Sequence, residues 1–331
     1  MRRRRLLRGI GSAGLLLGLP GALWSGAGNQ ESKTGLVLDR RFLDHMIRPD
    51  HPESPDRLRA MRALFEARGL LGDCRRITPA DHPGDSLYAV HEERHIERIA
   101  ARYPGTHPVA LLASGGAVAA AEAVMAGEVR HAFCASRPPG HHAQNTGEEE
   151  GFCYYNHIAI VARHLQRQHG LKRILIADWD YHHGDATEAM FYDDPSVLFF
   201  STHDVSAYPG TGHASRRGEG DGEGFNINVP LVCEDGDSEI MAAFENRMLT
   251  AADDFKPDFV LISAGFDSRK DDPLGCFKVS DSGFAELTAL MLDVARRHCD
   301  GRLLSILEGG YNLDGNARAA AAHLETLVEH A

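Results

Sequence analysis

The sequence predicts an α/β fold, a mostly parallel sheet with helices on both faces. Short apolar runs alternate with longer amphipathic stretches through the chain, the pattern of strand–helix units around a parallel sheet. The chemically unusual residues fall directly after the apolar runs, where an open parallel sheet places its ligands. With 331 residues, 43% of them hydrophobic, the chain can build one large domain. No internal repeat or low-complexity tract interrupts it.

Leu36-Val37-Leu38 reads as a first strand. Pro52 and Pro55 precede a helix from about Arg57 to Arg68. Tyr88-Ala89-Val90 reads as a short extended piece. The Ala-rich stretch Ala110 to Ala126 predicts a helix that Gly127 stops. Ala132 to Ala135 predicts a strand, and Tyr154 to His169 an amphipathic helix ended by Gly170. Strands follow at Arg173–Ala177 and Val197–Ser201, then a Gly-rich loop over 202–225 with Pro209 and Pro230 as breakers. Glu239 to Asp254 predicts a helix, Asp258–Ser263 a strand, Ser282–Cys299 a helix, Leu303–Leu307 a strand and Ala317–His330 the closing helix.

The net charge is -12, and the first 27 residues hold five arginines and no acid, so the remainder carries -17. So acidic a body repels nucleic acid and anionic membrane and tolerates cationic substrates. The first 27 residues read as a targeting segment. Arg2, Arg3, Arg4, Arg5 and Arg8 precede or enter an uncharged stretch to Gly28, and Ser25-Gly26-Ala27 fits a cleavage site. Arg3-Arg4-Arg5-Leu6-Leu7-Arg8 resembles a twin-arginine export signal, which implies a periplasmic protein with no membrane span after processing. A retained anchor and a basic leader on a cytoplasmic protein are the alternatives. The glycines and Pro20 make the stretch a poor bilayer span. The single domain is expected over residues 33–331. Cys74, Cys134, Cys153, Cys233, Cys276 and Cys299 form no CxxC pair and no framework spacing, so no disulfide is expected to be required for folding.

Four segments after predicted strands carry the chemistry: His141-His142, Asp178 to Asp185, Ser263 to Asp267, and Glu308-Gly309-Gly310-Tyr311. Alternation along a strand starts Asp178, Asp180 and His182 on one side. Buried carboxylates there need a positive partner, and a divalent metal fits. Asp180, His182 and Asp267 would supply the three protein ligands of a catalytic zinc, with a fourth position open. A mixed N/O set also accepts ferrous iron. Two anionic ligands acidify a bound water less than three imidazoles do, so a base is needed. His141 and His142 offer one, with Asp178 and Asp185 each able to orient an imidazole. Tyr311 could donate its hydroxyl to an oxyanion. The implied reaction is metal-assisted hydrolysis of an amide. Singly, a His-His pair is usually a surface or core pair, Asp-x-Asp a turn and Gly-Gly-Tyr a loop. All of them at strand ends of one chain exceed what structure alone requires.

These segments resemble the zinc-dependent histone deacetylase family, in its class II-like bacterial branch. The matching stretches run in family order: His51 to Leu58, Arg137 to Ala143, Gly151-Phe152-Cys153, Asp178 to Asp185, Tyr208 to Gly212, Phe225 to Pro230, Ser263 to Asp267, Asp272 to Gly275 and Glu308 to Asn312. The resemblance implies the three-layer α/β/α arginase–deacetylase fold. It implies zinc on Asp180, His182 and Asp267, His142 backed by Asp185 as general base and acid, and His141 backed by Asp178 as its electrostatic partner. Tyr311 would polarise the acyl carbonyl. Gly151, Phe152, Tyr208, Leu274 and Gly310 would line the channel for an acyl-lysine stem. Structural potassium would sit on the carbonyls of Asp178, Asp180 and His182 with Ser201 and Thr202, and a second potassium on Phe191, Asp194, Val197 and Phe225. Tyr rather than His at 311 implies a competent deacetylase. Leu274 stands where polyamine-specific relatives carry an acid, which argues against that preference.

One departure is that Arg98 to Pro108, read as a short loop before the Ala-rich helix, holds no acid, where the family usually carries an Asp that grips the substrate backbone. Another is Tyr208, where Phe is more usual. The expected substrate is an acylated lysine peptide or small acylated amine, an acetylpolyamine included. Two other functions compete. A binuclear ureohydrolase needs more carboxylates, and Arg269 stands two residues after Asp267 where one would be needed. A non-catalytic binder has no use for His142 and Tyr311.

Overall fold

The computed structural model describes residues 34–331, which lie within one compact unit. The expected targeting segment lies outside the described residues. The elements follow in chain order: β1 (Gly35–Val37), α1 (Asp56–Ala67), α2 (Leu70–Asp73), β2 (Arg75–Arg76), α3 (Glu93–Arg102), α4 (His107–Met125), β3 (His131–Cys134), α5 (His157–His169), β4 (Ile174–Asp178), α6 (Asp185–Phe191), β5 (Val197–Asp204), β6 (Asn226–Leu231), α7 (Asp237–Ala243), α8 (Leu249–Phe255), β7 (Phe259–Ala264), α9 (Asp281–His298), β8 (Leu303–Leu307) and α10 (Leu313–Glu329). One eight-stranded sheet runs β2-β1-β3-β8-β7-β4-β5-β6. Every pairing is parallel. Its central strands are buried along their whole length, as their unbroken apolar runs require of strands covered on both faces.

Helices α4 and α5 pack on each other and against the sheet. A second group, α1, α9 and α10, packs together and reaches β7 and β3. Among the described residues α4 is the one helix long and apolar enough to cross a bilayer. Thirteen of its 19 residues are buried, as in a core helix. Gly115 is required there, because an added Cβ would lie 2.1 Å from the Ala80 carbonyl oxygen.

The chain builds β1 and β3 on one side, then jumps to β4. It fills the intervening places last, with β7 and β8. The neighbouring strands β3, β8, β7 and β4 therefore all discharge their following loops into one crevice. Those are the four loops that carry the unusual residues.

Several local expectations fail. Tyr88-Ala89-Val90 is not extended: Gly84–Ala89 forms a 3-10 turn. Arg98 to Arg102 is not loop but the end of α3. The 202–225 stretch begins as strand, since β5 continues to Asp204. Helix α5 starts three residues later than Tyr154, at an Asn156 cap whose side chain accepts from Ala159 N–H. The helix expected over Glu239 to Asp254 is divided by a π-helical turn at Phe244–Met248. Apart from these differences, and without bearing on whether folding requires it, Cys233 and Cys276 form a disulfide with Cα atoms 5.1 Å apart. Spacing alone does not mark this pair, whose members are 43 residues apart. Each lies in a loop outside a named strand or helix, and Cys74, Cys134, Cys153 and Cys299 are buried and unbridged.

Candidate metal-dependent active site

Strand β4 ends at Asp178, and the strand's alternation carries on into the loop. Trp179 turns into the core, near Phe244, Phe284 and His323, and Ser268 Oγ donates to its carbonyl. Asp178 and Asp180 enter the crevice, fully buried. His182 Nδ1 lies 3.2 Å from Asp180 Oδ1 and 3.0 Å from Asp267 Oδ2. One donor atom from each of these three residues falls within 4.8 Å of the others. Backbone N–H groups hold the outer lone pairs. Gly309 and His182 donate to Asp180 (2.8 Å each), and Tyr181 donates to Asp267 (2.9 Å). Both neighbouring glycines are needed for the approach. An added Cβ on Gly265 would lie 1.9 Å from Asp180 Oδ2, and one on Gly309 would lie 2.1 Å from Asp267 Oδ2.

The electrostatics of this trio call for a cation. Burial, and then the Asp180 charge, push Asp267 up to about 7. Burial opposes a charge on His182, yet Asp180 and Asp267 outweigh it and push the imidazole up to about 10. In the protein alone, a proton on Nδ1 stands between two carboxylates. A divalent ion satisfies the same three atoms with more charge, and an imidazole–dicarboxylate set is a hydrolytic-metal donor set.

The paired histidines flank this trio. His141 Nδ1 contacts Asp178 Oδ2 at 3.0 Å, and His142 Nδ1 contacts Asp185 Oδ1 at 2.7 Å. The rings sit 4.1 Å apart between centroids, but their electrostatics diverge. Burial disfavours charge on His141, yet Asp180 and Asp178 hold it well above the usual imidazole range. Burial, with His141 second, pushes His142 down to about 4. At neutral pH His142 is thus a neutral ring with Nδ1 engaged, which leaves Nε2 as its proton-accepting atom. Burial, with Asp267 second, holds the Tyr311 phenol well above its ordinary value, so its hydroxyl remains a donor.

Of the expected channel residues, Gly151, Phe152, Tyr208 and Gly310 lie beside these groups. Phe152 makes edge contacts with His51 (4.6 Å) and Tyr311 (5.9 Å). Tyr208 is half exposed and meets the His142 ring edge-on at 5.0 Å. Gly151 has φ +54°, and a Cβ on it would lie 2.4 Å from His142 Cδ2. Leu274 is partly exposed on the loop that Asp272 braces, with Leu274 N–H donating to Asp272 Oδ1 at 2.9 Å. Gly310 has φ +115°, reserved for glycine.

For potassium, the register pairs Asp178 on β4 with Ser201 on β5. The adjacent Thr202 Oγ1 is buried with no hydrogen-bond partner, an atom that a bound cation would satisfy. Around the second position, the carbonyls of Phe191, Asp194 and Phe225 each accept one backbone N–H, and Val197 donates to Asp194. One lone pair on each of those three carbonyls is left over.

Sequence reasoning misses a buried ionic network beneath the site. Glu53 receives Arg137 through two 2.6 Å bonds, Arg57 at 3.1 Å and His45 at 3.1 Å, all four side chains fully buried. Arg57 also donates to the carbonyls of Gly310 and Glu308 at 2.6 Å each, and its guanidinium lies 5.0 Å from the Tyr311 ring centre. Glu53 thereby ties the Tyr311 loop to Arg137, which opens the His141 loop. Glu308 braces that loop from the other side, accepting from Gly140 N–H at 2.6 Å and His141 N–H at 3.2 Å. The one local signal is the Glu53–Arg57 helical spacing, but the third partner is 84 residues away. Burial opposes charge on Glu53, yet His45, Arg137 and Arg57 hold its carboxyl well below the usual range. Glu53→Ala leaves two buried guanidinium groups uncompensated, so urea unfolding is expected to show a loss of about 3–5 kcal/mol. A loss under about 1 kcal/mol would contradict this reading.

Comparison with known proteins gives the family and the fold. A histone deacetylase domain model matches residues 51–327. A probable deacetylase of Archaeoglobus fulgidus is 38% identical over 297 residues, covering 85% of this chain and 82% of its own. The histone deacetylase-like amidohydrolase of Pseudomonas aeruginosa is 35% identical, over 79% of this chain and 73% of its own. The polyamine deacetylase HDAC10 of Homo sapiens is 34% identical, but this chain spans only 44% of its length. Likewise, the chain spans 50% of histone deacetylase 5 and 58% of histone deacetylase 15 of Arabidopsis thaliana. The crystal structure of the HDA15 HD domain superposes with a TM-score of 0.83 at 36% identity, covering 90% of this chain and 88% of that one.

Proposed function

Since this chain belongs to the histone deacetylase family, we propose that it is a zinc-dependent hydrolase that removes acyl groups from acylated lysine or related acylated amines. The observation that carries the reading is the convergence of Asp180, His182 and Asp267 beside a neutral, Asp185-oriented His142. Zinc on those three residues, or ferrous iron in its place, supplies Lewis acidity for the attacking water and the amide carbonyl. His142 Nε2 takes the proton released by the water and returns it to the leaving amine. Asp185 keeps the ring in the tautomer that makes this possible. His141, its Nδ1 against Asp178, is held above the usual imidazole range by Asp180 and Asp178 and so favours negative charge nearby. The Tyr311 hydroxyl donates to the oxyanion as the carbonyl loses its double bond. Phe152, beside Tyr311, and Tyr208, beside His142, offer aromatic surfaces to an aliphatic stem, and Ser201 and Thr202 would hold a potassium ion that stiffens the strand ends.

Acetyl-lysine peptides are favoured over acetylpolyamines, because Leu274, exposed on its loop, stands where an acid would be needed to hold a second ammonium. A panel of acetyl-lysine peptide, acetylspermidine and longer acyl-lysines tests this. Turnover of the peptide at least about 10-fold above acetylspermidine is expected, a difference of about 1.4 kcal/mol. The reverse order would assign polyamine specificity, and no turnover of any would sink the hydrolase reading.

Arg3 to Ala27 support export before function, and the Cys233–Cys276 disulfide suits an oxidising compartment. Recovery of only the unprocessed chain, in a cytosolic fraction, would overturn export.

A further inference from the structure

We propose that Glu122, His164 and His169 form a second divalent-metal site, suited to zinc, at the end of the sheet remote from the catalytic loops. Glu122 lies in the last turn of α4, which leads toward the start of β3. His169 closes α5, which leads to the start of β4, and His164 lies five residues before it. The catalytic residues instead follow the ends of those strands, so the two groups occupy opposite edges of the sheet.

Three donor atoms converge. His164 Nε2 is 2.5 Å and His169 Nε2 is 2.8 Å from the same oxygen of Glu122, Oε1. One ligand atom from each of the three residues lies within 4.8 Å of the others. Two imidazoles and one glutamate are the protein ligands of an established class of zinc site, which leaves its fourth position to water. Tetrahedral bonds near 2.1 Å place donor atoms about 3.4 Å apart. The contacts therefore need to open by about 0.6–0.9 Å, and Glu122, with its side chain 47% exposed, has room to do so.

Two further features favour a cation. The His164 Nδ1 lies 2.9 Å from the buried Ser86 hydroxyl. With the metal on Nε2, Nδ1–H donates to that oxygen, the kind of outer contact that orients ligating imidazoles. The site also sits at the carboxyl ends of two helices of 19 and 13 residues, where the backbone dipoles favour positive charge.

The test uses the untagged full chain, stripped with chelator and titrated with zinc, the bound metal being counted after gel filtration. About two equivalents per chain are expected, one at the catalytic trio and one here. His169→Ala and Glu122→Gln are each expected to retain about one equivalent with acetyl-lysine turnover within about 2-fold of the parent. Cobalt added as the second equivalent is expected to give visible absorption in the parent and not in His169→Ala. One equivalent in the parent, or two in both variants, would mean that Glu122 merely accepts two imidazole hydrogen bonds, and would overturn the proposal. One equivalent in a parent without turnover would instead count against the deacetylase reading and leave this site standing, provided that His169→Ala loses that ion; if His169→Ala retains it, the proposal falls.

Discussion

His142→Ala and Tyr311→Phe are each expected to cut acetyl-lysine turnover by about 100-fold or more, in line with loss of a general base or of an oxyanion donor. The two should differ in kind. His142 has its Nδ1 on Asp185 at 2.7 Å and burial pushes it down to about 4, so it starts each cycle neutral. Removing it abolishes the proton path and flattens the acid side of the pH–rate profile. Tyr311 keeps its proton throughout, so Tyr311→Phe leaves the profile's shape intact and lowers kcat at every pH. Because Tyr311 is packed against Phe152 and under Arg57, the Phe ring retains these contacts and the fold should survive. Activity of either variant within about 3-fold of the parent would remove that residue from the proposed roles.

The second large effect concerns acid stability. Several buried histidines outside the metal trio are held neutral. Burial pushes His157 and His131 down to about 4 and His323 down to about 3. Both ring nitrogens of His157 are engaged, by Ser114 and the Pro138 carbonyl, and both of His323, by Thr288 and Ser305, whereas His131 meets Thr34 and the Leu327 carbonyl through Nε2 alone. The unfolded chain, with imidazoles titrating near 6.5, binds more protons than the folded one below that pH. The stabilisation is therefore full above about 6.5 and lost as pH falls from 6.5 toward 4, then 3 for His323. Each therefore costs about 2 kcal/mol of stability at pH 5 relative to neutral pH. Urea midpoints at pH 7.5 and 5.0 measure the sum, and a strong fall is expected, softened in His323→Leu. Equal midpoints at the two pH values would contradict the assignment.

The features legible in the sequence are those that lie in short contiguous stretches. The strands β3, β4, β7 and β8 are apolar runs that end in polar residues, so both strand and site are visible in the same few letters. That Asp178 and Asp185 each orient an imidazole is read from the residues, the pairing of Asp178 with His141 and of Asp185 with His142 is implied by the family resemblance, and the structure brings each pair within hydrogen-bond distance. Strand β6 escapes notice because it carries Pro230 and two asparagines, and it survives at the sheet edge, where β5 is its one neighbour. Strand β2 is two arginines, which no periodicity can reveal. The Glu53–Arg57–Arg137 network and the Cys233–Cys276 pair depend on contacts across 84 and 43 residues, and such contacts leave no local pattern. The Glu122–His164–His169 group is likewise assembled by the α4–α5 packing alone.

The most direct test of the central claim is turnover of acetyl-lysine peptide by chelator-stripped protein before and after zinc is restored, beside Asp267→Asn treated in the same way. Stripping should abolish turnover, zinc should restore it to the parent chain, and Asp267→Asn should stay inactive at the same zinc concentration. Full turnover after verified stripping, or equal restoration in Asp267→Asn, would show that Asp180, His182 and Asp267 do not hold the ion on which hydrolysis depends.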